Sequence, residues 1–373
     1  MGVGKAGIKQ SGNPDVLLIS LEEDAPAGFI FTRSSIRSGS VSYSEKALNR
    51  TGGYVRALFI NSGNANCSAG DTERVAENIA SYISHKIGTE KEKVLVFSTG
   101  VIGEPLPMDK IVSAIDQAIN NTGYLDLKKA SEVISTTDRF PKYASYKERD
   151  VEVIGFAKGA GMIHPNMATM LAFLFVNSWM DPKVIKNMVK FVGDRTFNSI
   201  SVDGCTSTND SFGVICIGKD RRDVSKIKRG IYKVAEDLAK RMVEDGEGAT
   251  KIIKIIIEGA KTERMARDIA RSVATSQLVK TAVHGNDPNW GRIIASVGSA
   301  GYDIKEEDLE IRIGGEVLFR GVPVGSKDKA RKYMLSTKEV EIRVRVGSGR
   351  YEWVYYSSDL TCDYVKFNAE YTT

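Results

Sequence analysis

The sequence predicts an α/β or α+β fold in which large sheets are covered by helices. Through most of the chain, stretches with an apolar residue at every third or fourth position alternate with short, continuously apolar runs. The first pattern is typical of amphipathic helices and the second of strands buried on both faces. From Leu309 onward, apolar and polar residues alternate one by one, as in strands with a single buried face. The 373 residues suffice for two lobes, and we expect the second, smaller lobe at the C-terminus.

Helices and strands can be assigned in chain order from these patterns. Val75, Ile79 and Ile83 are four residues apart, between the helix-capping Asp71 and the helix-ending Gly88. On the same grounds we expect helices at residues 71–87, 108–120, 182–196, 224–246 and 262–282. We expect strands at residues 93–98, 151–161, 170–176, 210–218 and 250–260, the second of which runs into a glycine-rich loop.

Turn-forming and alternating residues predict the remaining features. The segments 309–321 and 340–358 alternate as strands do, and the GSGR tetrapeptide at 347–350 predicts that the second is a hairpin. The segment STGVIGEPLP at 98–107 is typical of a turn-rich loop. The polar, turn-rich residues 121–150 are the best candidate for a boundary within the chain. The chain contains no clear linker rich in Pro or Ser.

The composition argues against several classes of protein. The net charge is +5, and Lys and Arg are scattered among Asp and Glu rather than clustered with aromatic residues, so we expect no nucleic acid partner. No apolar run approaches the roughly 18–20 residues of a membrane span, and the first residues lack the apolar core of a signal peptide. We therefore expect a cytoplasmic protein without a membrane partner. Its four cysteines form no CxxC pair and its three histidines are dispersed, so we expect no metal or other cofactor.

One threonine stands directly before the most apolar run of the chain. In HPNMATMLAFLFV (164–176), Thr169 follows the small Ala168 and precedes seven apolar residues. A threonine hydroxyl needs a base, and the α-amine of the same residue serves when that residue is a chain N-terminus. Attack of the Thr169 hydroxyl on the preceding carbonyl would cut the Ala168–Thr169 bond and create that N-terminus. The alternative is a strand-initiating threonine with a locally satisfied hydroxyl, the commoner role of such a residue.

Three further segments contain polar residues that suit catalysis or ligand binding. Thr99 and Gly100, after a buried strand, could offer a hydroxyl and a backbone N–H to an oxyanion. Lys158, at the glycine-rich loop, could pair a carboxylate. Glu247, between two glycines, could pair an amine. Each segment is also compatible with an ordinary turn, a surface loop or a helix C-terminus.

Taken together, these segments resemble one protein family. KGAGMIHPNMATML (158–171) resembles the signature of the ornithine acetyltransferases, the glutamate N-acetyltransferases of arginine biosynthesis. Other segments match the family in order along nearly the whole chain: INSGNANCSAG (60–70), STGVIGEPLPMDKI (98–111), STTDRFPK (135–142), VDGCTSTND (202–210), EDGEGATK (244–251), GNDPNWGRI (285–293) and FNAEYTT (367–373). Each segment alone is a weak signal, but their common order is specific to this family.

The resemblance implies a self-processing enzyme with the N-terminal-nucleophile-like fold of the DmpA-type aminopeptidases. The precursor would cut itself between Ala168 and Thr169, and the α chain (1–168) and β chain (169–373) would build one active site, usually in an α2β2 assembly. Thr169 would take acetyl from N2-acetylornithine and pass it to glutamate by a ping-pong mechanism. The residues that match the family's oxyanion hole are Thr99 and Gly100. Those that match its substrate-binding positions are Thr136 or Thr137, Lys158, Thr169, Glu247, Asn368 and Thr373.

Several alternatives stay open on the sequence alone. A self-processing aminopeptidase or amidohydrolase would share the fold, although the NAEYTT tail and the KGAGMI segment favour the transferase. A degenerate, non-catalytic relative would have lost Thr169, Lys158 or the oxyanion pair, and none is lost. No motif decides whether acetyl-CoA is a second acetyl donor, and the transfer-only form is our working expectation. Cys205 departs from the acidic or small residue expected in its motif, at a position without a predicted role.

Overall fold

The chain folds into two compact units. A computed structural model describes residues 1–164 and 170–370. The first unit consists of residues 1–198 and 205–242, and the smaller second unit of residues 199–204 and 243–370. Each unit combines a sheet with helices, which confirms the predicted α/β class and the smaller C-terminal lobe. In the two described ranges, no helix is both long enough and apolar enough to cross a membrane.

The first unit is built on one mixed sheet. Within the described residues its eight strands are β1 (Gly2–Gly4), β2 (Val16–Phe31), β3 (Tyr54–Asn64), β4 (Val94–Val101), β5 (Lys142–Glu148), β6 (Val151–Lys158), β7 (Leu171–Val176) and β9 (Ser211–Cys216). Their order is β4-β3-β2-β9-β7-β6-β5, with β1 beside β2. β3 and β4 are parallel, as are β7 and β9, whereas β6 runs antiparallel to β7. The edge at which β7 and β9 begin contains much of the candidate site.

The helices that begin in the first unit, within the described residues, include the four that the periodicity predicts and two that it did not reveal, the first and the fourth. They are α1 (Gly39–Arg50), α2 (Thr72–Ile87), α3 (Met108–Asn120), α4 (Leu127–Ile134), α5 (Pro182–Arg195) and α6 (Val224–Glu244). The predicted ends of α2 are confirmed, because the side chain of Asp71 accepts a hydrogen bond from Arg74 N and Gly88 is the C-cap in a left-handed conformation.

Aromatic packing joins the two strands that matter most for the site. All six residues of β7 are buried, as its continuous apolar run predicts. Phe97 of β4 and Phe173 of β7 meet edge to face, with ring centroids 4.9 Å apart. Phe29 of β2 lies against both rings. Full burial of one such side chain stabilises a fold by roughly 1.5–3 kcal/mol, so this cluster holds the site-bearing strands firmly.

The second unit has its own sheet and core. Its strands are β8 (Ile200–Ser201), β10 (Ile252–Ala260), β11 (Leu309–Ile313), β12 (Glu316–Arg320), β13 (Val322–Pro323), β14 (Glu339–Val346) and β15 (Tyr351–Ser358). They run in the order β13-β12-β11-β14-β10-β15-β8. Its helices are α7 (Glu263–Thr275), α8 (Gln277–His284), α9 (Trp290–Gly298), α10 (Lys327–Ser336) and α11 (Cys362–Glu370). Apolar residues of β10 and α7, among them Ile255 and Ile269, form the centre of this core.

The predicted hairpin at the GSGR turn is wrong. β14 and β15 do not pair with each other, because β10 lies between them, parallel to β14 and antiparallel to β15. The tetrapeptide instead crosses the end of β10, where Gly349 N donates to Gly259 O at 2.9 Å. A Cβ at Gly259 would lie 2.1 Å from Gly347 O, so this crossing requires a glycine. The alternating pattern identified two strands correctly but carried no information about the partner of each.

Three other local predictions need correction. The predicted helix 262–282 is two helices, α7 and α8, because Ser276 ends the first and caps the second by accepting from Val279 N. The loop assigned to residues 98–107 begins too early, since β4 continues to Val101. Residues 121–150 are not a junction between lobes, because they contain α4 and β5 of the first unit.

Candidate active site

The predicted oxyanion residues lie at an irregular end of β4. Thr99 and Gly100 pair with the last residues of the parallel β3, where the register shifts beside Gly63 and Asn64. Gly100 has a φ of +134°, and a Cβ there would lie 2.2 Å from the Gly63 carbonyl carbon. The two strands can therefore approach this closely only with glycine at this position. Thr99 is buried, with 6% of its surface exposed.

Lys158 connects the oxyanion residues to the strand that follows Thr169. Its Nζ donates to Thr99 Oγ1 at 3.2 Å, and the residue is only 4% exposed. Lys158 is the last residue of β6 and pairs with Leu171, the first residue of β7. The structure thus brings Thr99 and Lys158 together beside the start of β7.

A buried carboxylate organises the residues around Lys158. Asp138 Oδ1 accepts from Lys142 Nζ and from Gly159 N, each at 2.7 Å, and Oδ2 accepts from Thr136 N at 3.0 Å. The side chains of Lys142 and Asp138 are 0% and 1% exposed. Asp138 therefore fixes both the backbone that follows Lys158 and the first of the two candidate threonines. Thr136 and Thr137 are half-buried beside it, and both stay candidates.

Positive charges keep Asp138 ionised. Burial alone would raise the pKa of this carboxyl, but the ammonium groups of Lys142 and Lys158 outweigh it. Together with the hydrogen bonds, they hold the pKa of Asp138 well below its usual value. Lys9 also faces this group: burial lowers the pKa of Lys9 to about 8, although the negative charges of Asp15 and Asp138 act in the opposite direction.

Asn209 and Asp210, just before β9, tie separate parts of the site together. Asn209 Nδ2 donates to Ser98 O at 2.8 Å and to Ala65 O at 2.7 Å. Asp210 Oδ1 accepts from Met170 N at 2.7 Å. One dipeptide therefore holds the residue before Thr99 and the residue after Thr169.

Asp138, Asn209 and Asp210 have no individual role in the prediction from sequence. Each is a polar residue inside a family-like segment, STTDRFPK or VDGCTSTND, and Asp210 directly precedes a buried apolar run. Polar residues at the start of a buried strand were the available signal. Their hydrogen-bond partners lie up to 144 residues away along the chain, so the sequence did not identify them.

Two more predicted residues meet within the second unit. Asn368 Nδ2, on α11, donates to Glu247 Oε2 at 3.2 Å and to Tyr364 O at 3.1 Å. The segment at Glu247 is held in place because Thr361 Oγ1 donates to Gly248 O at 2.7 Å. A carboxylate and an amide side by side suit the binding of an ammonium group on a small ligand.

The remaining predicted residues, Ala168, Thr169 and Thr373, lie outside the described residues. The cleavage point and the nucleophile therefore stay predictions. Across residues 1–164 and 170–370, no group of three or more His, Cys, Asp or Glu side chains could hold a metal ion. The expectation of an enzyme without a cofactor also stays a prediction.

Comparison with known proteins identifies the family of this chain. The chain matches the ArgJ family over residues 1–373. The arginine biosynthesis bifunctional protein ArgJ of Aquifex aeolicus is 51% identical over 100% of this chain and 99% of that protein. The chain belongs to the ArgJ family. A glutamate N-acetyltransferase of Methanopyrus kandleri is 40% identical over 98% of this chain and 97% of its own length.

A solved ArgJ structure supports the same conclusion. The crystal structure of the arginine biosynthesis bifunctional protein ArgJ from Bacillus halodurans is 34% identical, with a TM-score of 0.52. That match covers 54% of this chain and 100% of the crystallised chain. The predicted family is therefore confirmed, and the ArgJ fold accounts for the mixed sheets and helices.

Proposed function

We propose that this ArgJ-family chain is a self-processing glutamate N-acetyltransferase that moves acetyl from N2-acetylornithine to glutamate in arginine biosynthesis. The observation that carries the proposal is the contact between the buried Lys158 Nζ and Thr99 Oγ1 beside the start of β7. Through this contact, a positive charge and a hydroxyl that can donate to an oxyanion lie next to the strand that follows Thr169. The relatives named ArgJ and glutamate N-acetyltransferase support the same reaction.

The reaction proceeds in two half-reactions through an acetylated Thr169. Its hydroxyl attacks the acetyl carbonyl carbon of N2-acetylornithine, while its free α-amine takes the hydroxyl proton. The C–N bond then breaks, the proton passes to the departing amine of ornithine, and an acetyl ester remains. The amine of glutamate attacks that ester, returns a proton to the Thr169 oxygen and leaves as N-acetylglutamate. An α-amine titrates at about 7.7–8.0, so part of it is neutral near pH 7.

Both half-reactions pass through a tetrahedral oxyanion, which Thr99 and Gly100 stabilise. Fixed donors lower such a barrier more than mobile ones, because they need no reorganisation as charge develops. The close approach of β3 and β4 at Gly63 and Gly100 fixes this backbone, and Lys158 orients the Thr99 hydroxyl. The positive charge of Lys158 also favours a developing negative charge nearby.

Gly100→Ala is expected to lower kcat by at least about tenfold, because loss of one oxyanion donor costs about 10²–10³ in kcat. The new Cβ would collide with the Gly63 carbonyl carbon, so the Gly100 N–H must move. Gly103→Ala is the matched control: Gly103 also has a positive φ, of +89°, but a Cβ there meets no atom within 4 Å. Steady-state kinetics of both variants test the idea. Equal activities in the two variants would contradict the oxyanion assignment.

Charged and polar residues are assigned to the two amino acid substrates. Lys158 pairs a substrate carboxylate, and Glu247 with Asn368 binds a substrate amine. Thr136 or Thr137 adds a hydroxyl, held close to Lys158 through Asp138. Thr169 and Thr373 complete the proposed set. These residue types fit zwitterionic substrates that differ in having an extra amine or an extra carboxylate.

A second activity, acetylation of glutamate from acetyl-CoA, is a further candidate. The relative with 51% identity is named a bifunctional protein, which favours this form over our working expectation of transfer only. Acetyl-CoA would then be a co-substrate that acetylates the same Thr169, and the enzyme would need no bound cofactor. We further propose that the α and β chains stay together as a cytoplasmic α2β2 assembly.

An assay of the purified chain with N2-acetylornithine and glutamate tests the proposed function. We expect ornithine and N-acetylglutamate in equal amounts, and exchange of labelled ornithine into N2-acetylornithine without glutamate. Acetyl-CoA with glutamate is assayed separately for the second activity. Release of free acetate at the full rate without glutamate would indicate the alternative, a hydrolase. If the purified protein forms none of these products, the proposal is refuted.

A further inference from the structure

Lys9, in the loop between β1 and β2, lies beside the candidate site but has no part in the reaction as derived so far. The fully buried carboxylate of Asp15 accepts from three backbone N–H groups of this loop, including Lys9 N at 3.3 Å. A Cβ at Gly63 would lie 3.1 Å from Lys9 N. Because Gly63 pairs with Gly100, the backbone of Lys9 is fixed against the strand ends that contain the oxyanion residues.

The side chain of Lys9 binds the end of α4. Its Nζ donates to Val133 O at 2.7 Å and to Glu132 O at 3.3 Å, two of the last carbonyls of that helix. A lysine ammonium has three donors, and in the part of the chain that the structure describes these carbonyls are its two hydrogen-bond partners. The segment that directly follows α4 contains Thr136 and Thr137. Lys9 therefore fixes the point from which the two candidate threonines extend.

The same helix is bonded to the strand that contains Lys158. Ser131 Oγ, on α4, donates to Ala157 O at 2.9 Å. Ala157 directly precedes Lys158, the residue assigned to a substrate carboxylate. Direct hydrogen bonds thus lead from Lys9 through α4 to the last residues of β6, so the two lysines belong to one site.

The ammonium groups of Lys9 and Lys158 repel each other. Burial and the charge of Lys158 lower the pKa of Lys9 to about 8, although the negative charges of Asp15 and Asp138 raise it. These two carboxylates are already engaged, Asp15 by the backbone of its loop and Asp138 by Lys142. Two cations close together are unfavourable unless an anion lies near both. The carboxylate of an amino acid substrate is such an anion.

We propose that Lys9 is a positioning residue of the carboxylate subsite: it fixes the end of α4 and adds a second positive charge that favours a substrate carboxylate at Lys158. This inference rests on the proposed function, in which Lys158 pairs that carboxylate. Its effect depends on the charge of the ligand, which a purely structural tether does not sense. Removal of the Lys9 charge should weaken binding of an acid far more than binding of the matching amide.

The test compares two acetyl donors, N2-acetylornithine and its carboxamide, in which an uncharged amide replaces the carboxylate. Lys9→Gln removes the charge but keeps donors for the α4 carbonyls, whereas Lys9→Arg keeps both. Lys5→Gln, which neutralises an exposed lysine of the same segment, is the matched control. Release of the deacetylated amine gives kcat and KM for each donor, and denaturing intact mass reports processing. If the carboxamide is too slow as a donor, its inhibition constant against N2-acetylornithine replaces its kcat/KM.

We expect Lys9→Gln to lower kcat/KM for N2-acetylornithine about tenfold, mainly through a higher KM, because a charge interaction in the ground state is lost. For the carboxamide the change should stay below about twofold. The preference for the acid over the amide should therefore fall about tenfold in Lys9→Gln and stay at the wild-type value in Lys9→Arg and Lys5→Gln.

An unchanged preference in Lys9→Gln would overturn the inference, even if both donors react more slowly, because an equal loss describes a structural tether. An equal fall of the preference in Lys9→Arg would also overturn it, since charge would not be the cause. Lys9→Met replaces Lys9→Gln if only the latter stays uncut, and if both stay uncut Lys9 serves folding or processing and the inference is wrong. A wild-type protein that releases no ornithine from N2-acetylornithine would instead overturn the proposed function, before any variant is compared.

Discussion

Thr169→Ala is expected to leave the chain uncut and without transferase activity. The same hydroxyl is proposed to attack the Ala168 carbonyl during processing and the acetyl carbonyl during catalysis, so its removal abolishes both steps. Denaturing intact mass of the wild type should give two chains, the second beginning at Thr169. The variant should give one chain of 40.8 kDa. We expect its transferase rate to fall by at least about 10⁴-fold, in line with removal of other catalytic nucleophiles.

Thr169→Ser is the matched variant for this experiment, because it retains the hydroxyl and the α-amine. It should still be cut before residue 169 and should keep measurable transferase activity. Two outcomes would remove Thr169 from the mechanism: cleavage at the same bond in Thr169→Ala, or transfer by that variant at more than a small fraction of the wild-type rate. Cleavage of the wild type at another bond would also contradict the assignment.

Elements whose pattern is local were predicted well from the sequence. α2 has regular apolar spacing and both capping residues, and the structure places its ends where those signals are. β7 is a continuous apolar run, and it lies in the middle of the sheet with both faces buried. In each case the information needed lies within fewer than twenty consecutive residues, so composition and spacing suffice.

Features set by distant partners were predicted poorly. The turn at 347–350 looks like a hairpin turn, but β14 and β15 are separated by β10, whose Ile252 pairs with Glu339 from a much earlier part of the chain. Residues 98–101 contain glycine and threonine, yet their pairing with β3 keeps them in the sheet. The polar composition of residues 121–150 conceals α4, whose buried residues include Ala130 and Ile134. Local polarity does not reveal what a segment packs against.

The residues of the candidate site also divide into those predicted from local sequence and those whose role depends on distant partners. Thr99, Gly100 and Lys158 were predicted from family-like segments, and the structure brings Thr99 and Lys158 into contact. The buried polar residues that hold them, Asp138 and Asp210, had no assigned role. The two carboxyls differ in the groups that donate to them and in the charges that lie nearby. A sequence shows both as aspartates, whereas burial raises the pKa of Asp210 and, at Asp138, is outweighed by the nearby positive charges.

Asp138→Ala is expected to lower the free energy of unfolding by about 3–5 kcal/mol, because it removes the carboxylate that forms an ion pair with the fully buried ammonium of Lys142. The variant also frees Gly159 N and Thr136 N, so transferase activity should fall as well. Urea denaturation of the variant in the uncut Thr169→Ala background measures the loss on a single chain. Asp116→Ala, which breaks an exposed ion pair with Lys86, is the control and should change the free energy much less.

The pH dependence of the same measurement separates lost charge pairing from general damage. Lys142 and Lys158 hold the pKa of Asp138 below its unfolded value of about 3.9. The folded state therefore binds this proton less readily than the unfolded state, and the stability contributed by the ionised Asp138 is fully present well above pH 4. It is lost progressively as the pH falls below about 4 toward the folded pKa. The difference between the parent chain and Asp138→Ala should accordingly be constant from pH 7 to about 5 and should shrink below pH 4. A difference that stays constant down to pH 2.5 would mean that the loss reflects a cavity or a lost hydrogen bond and not the buried ion pair.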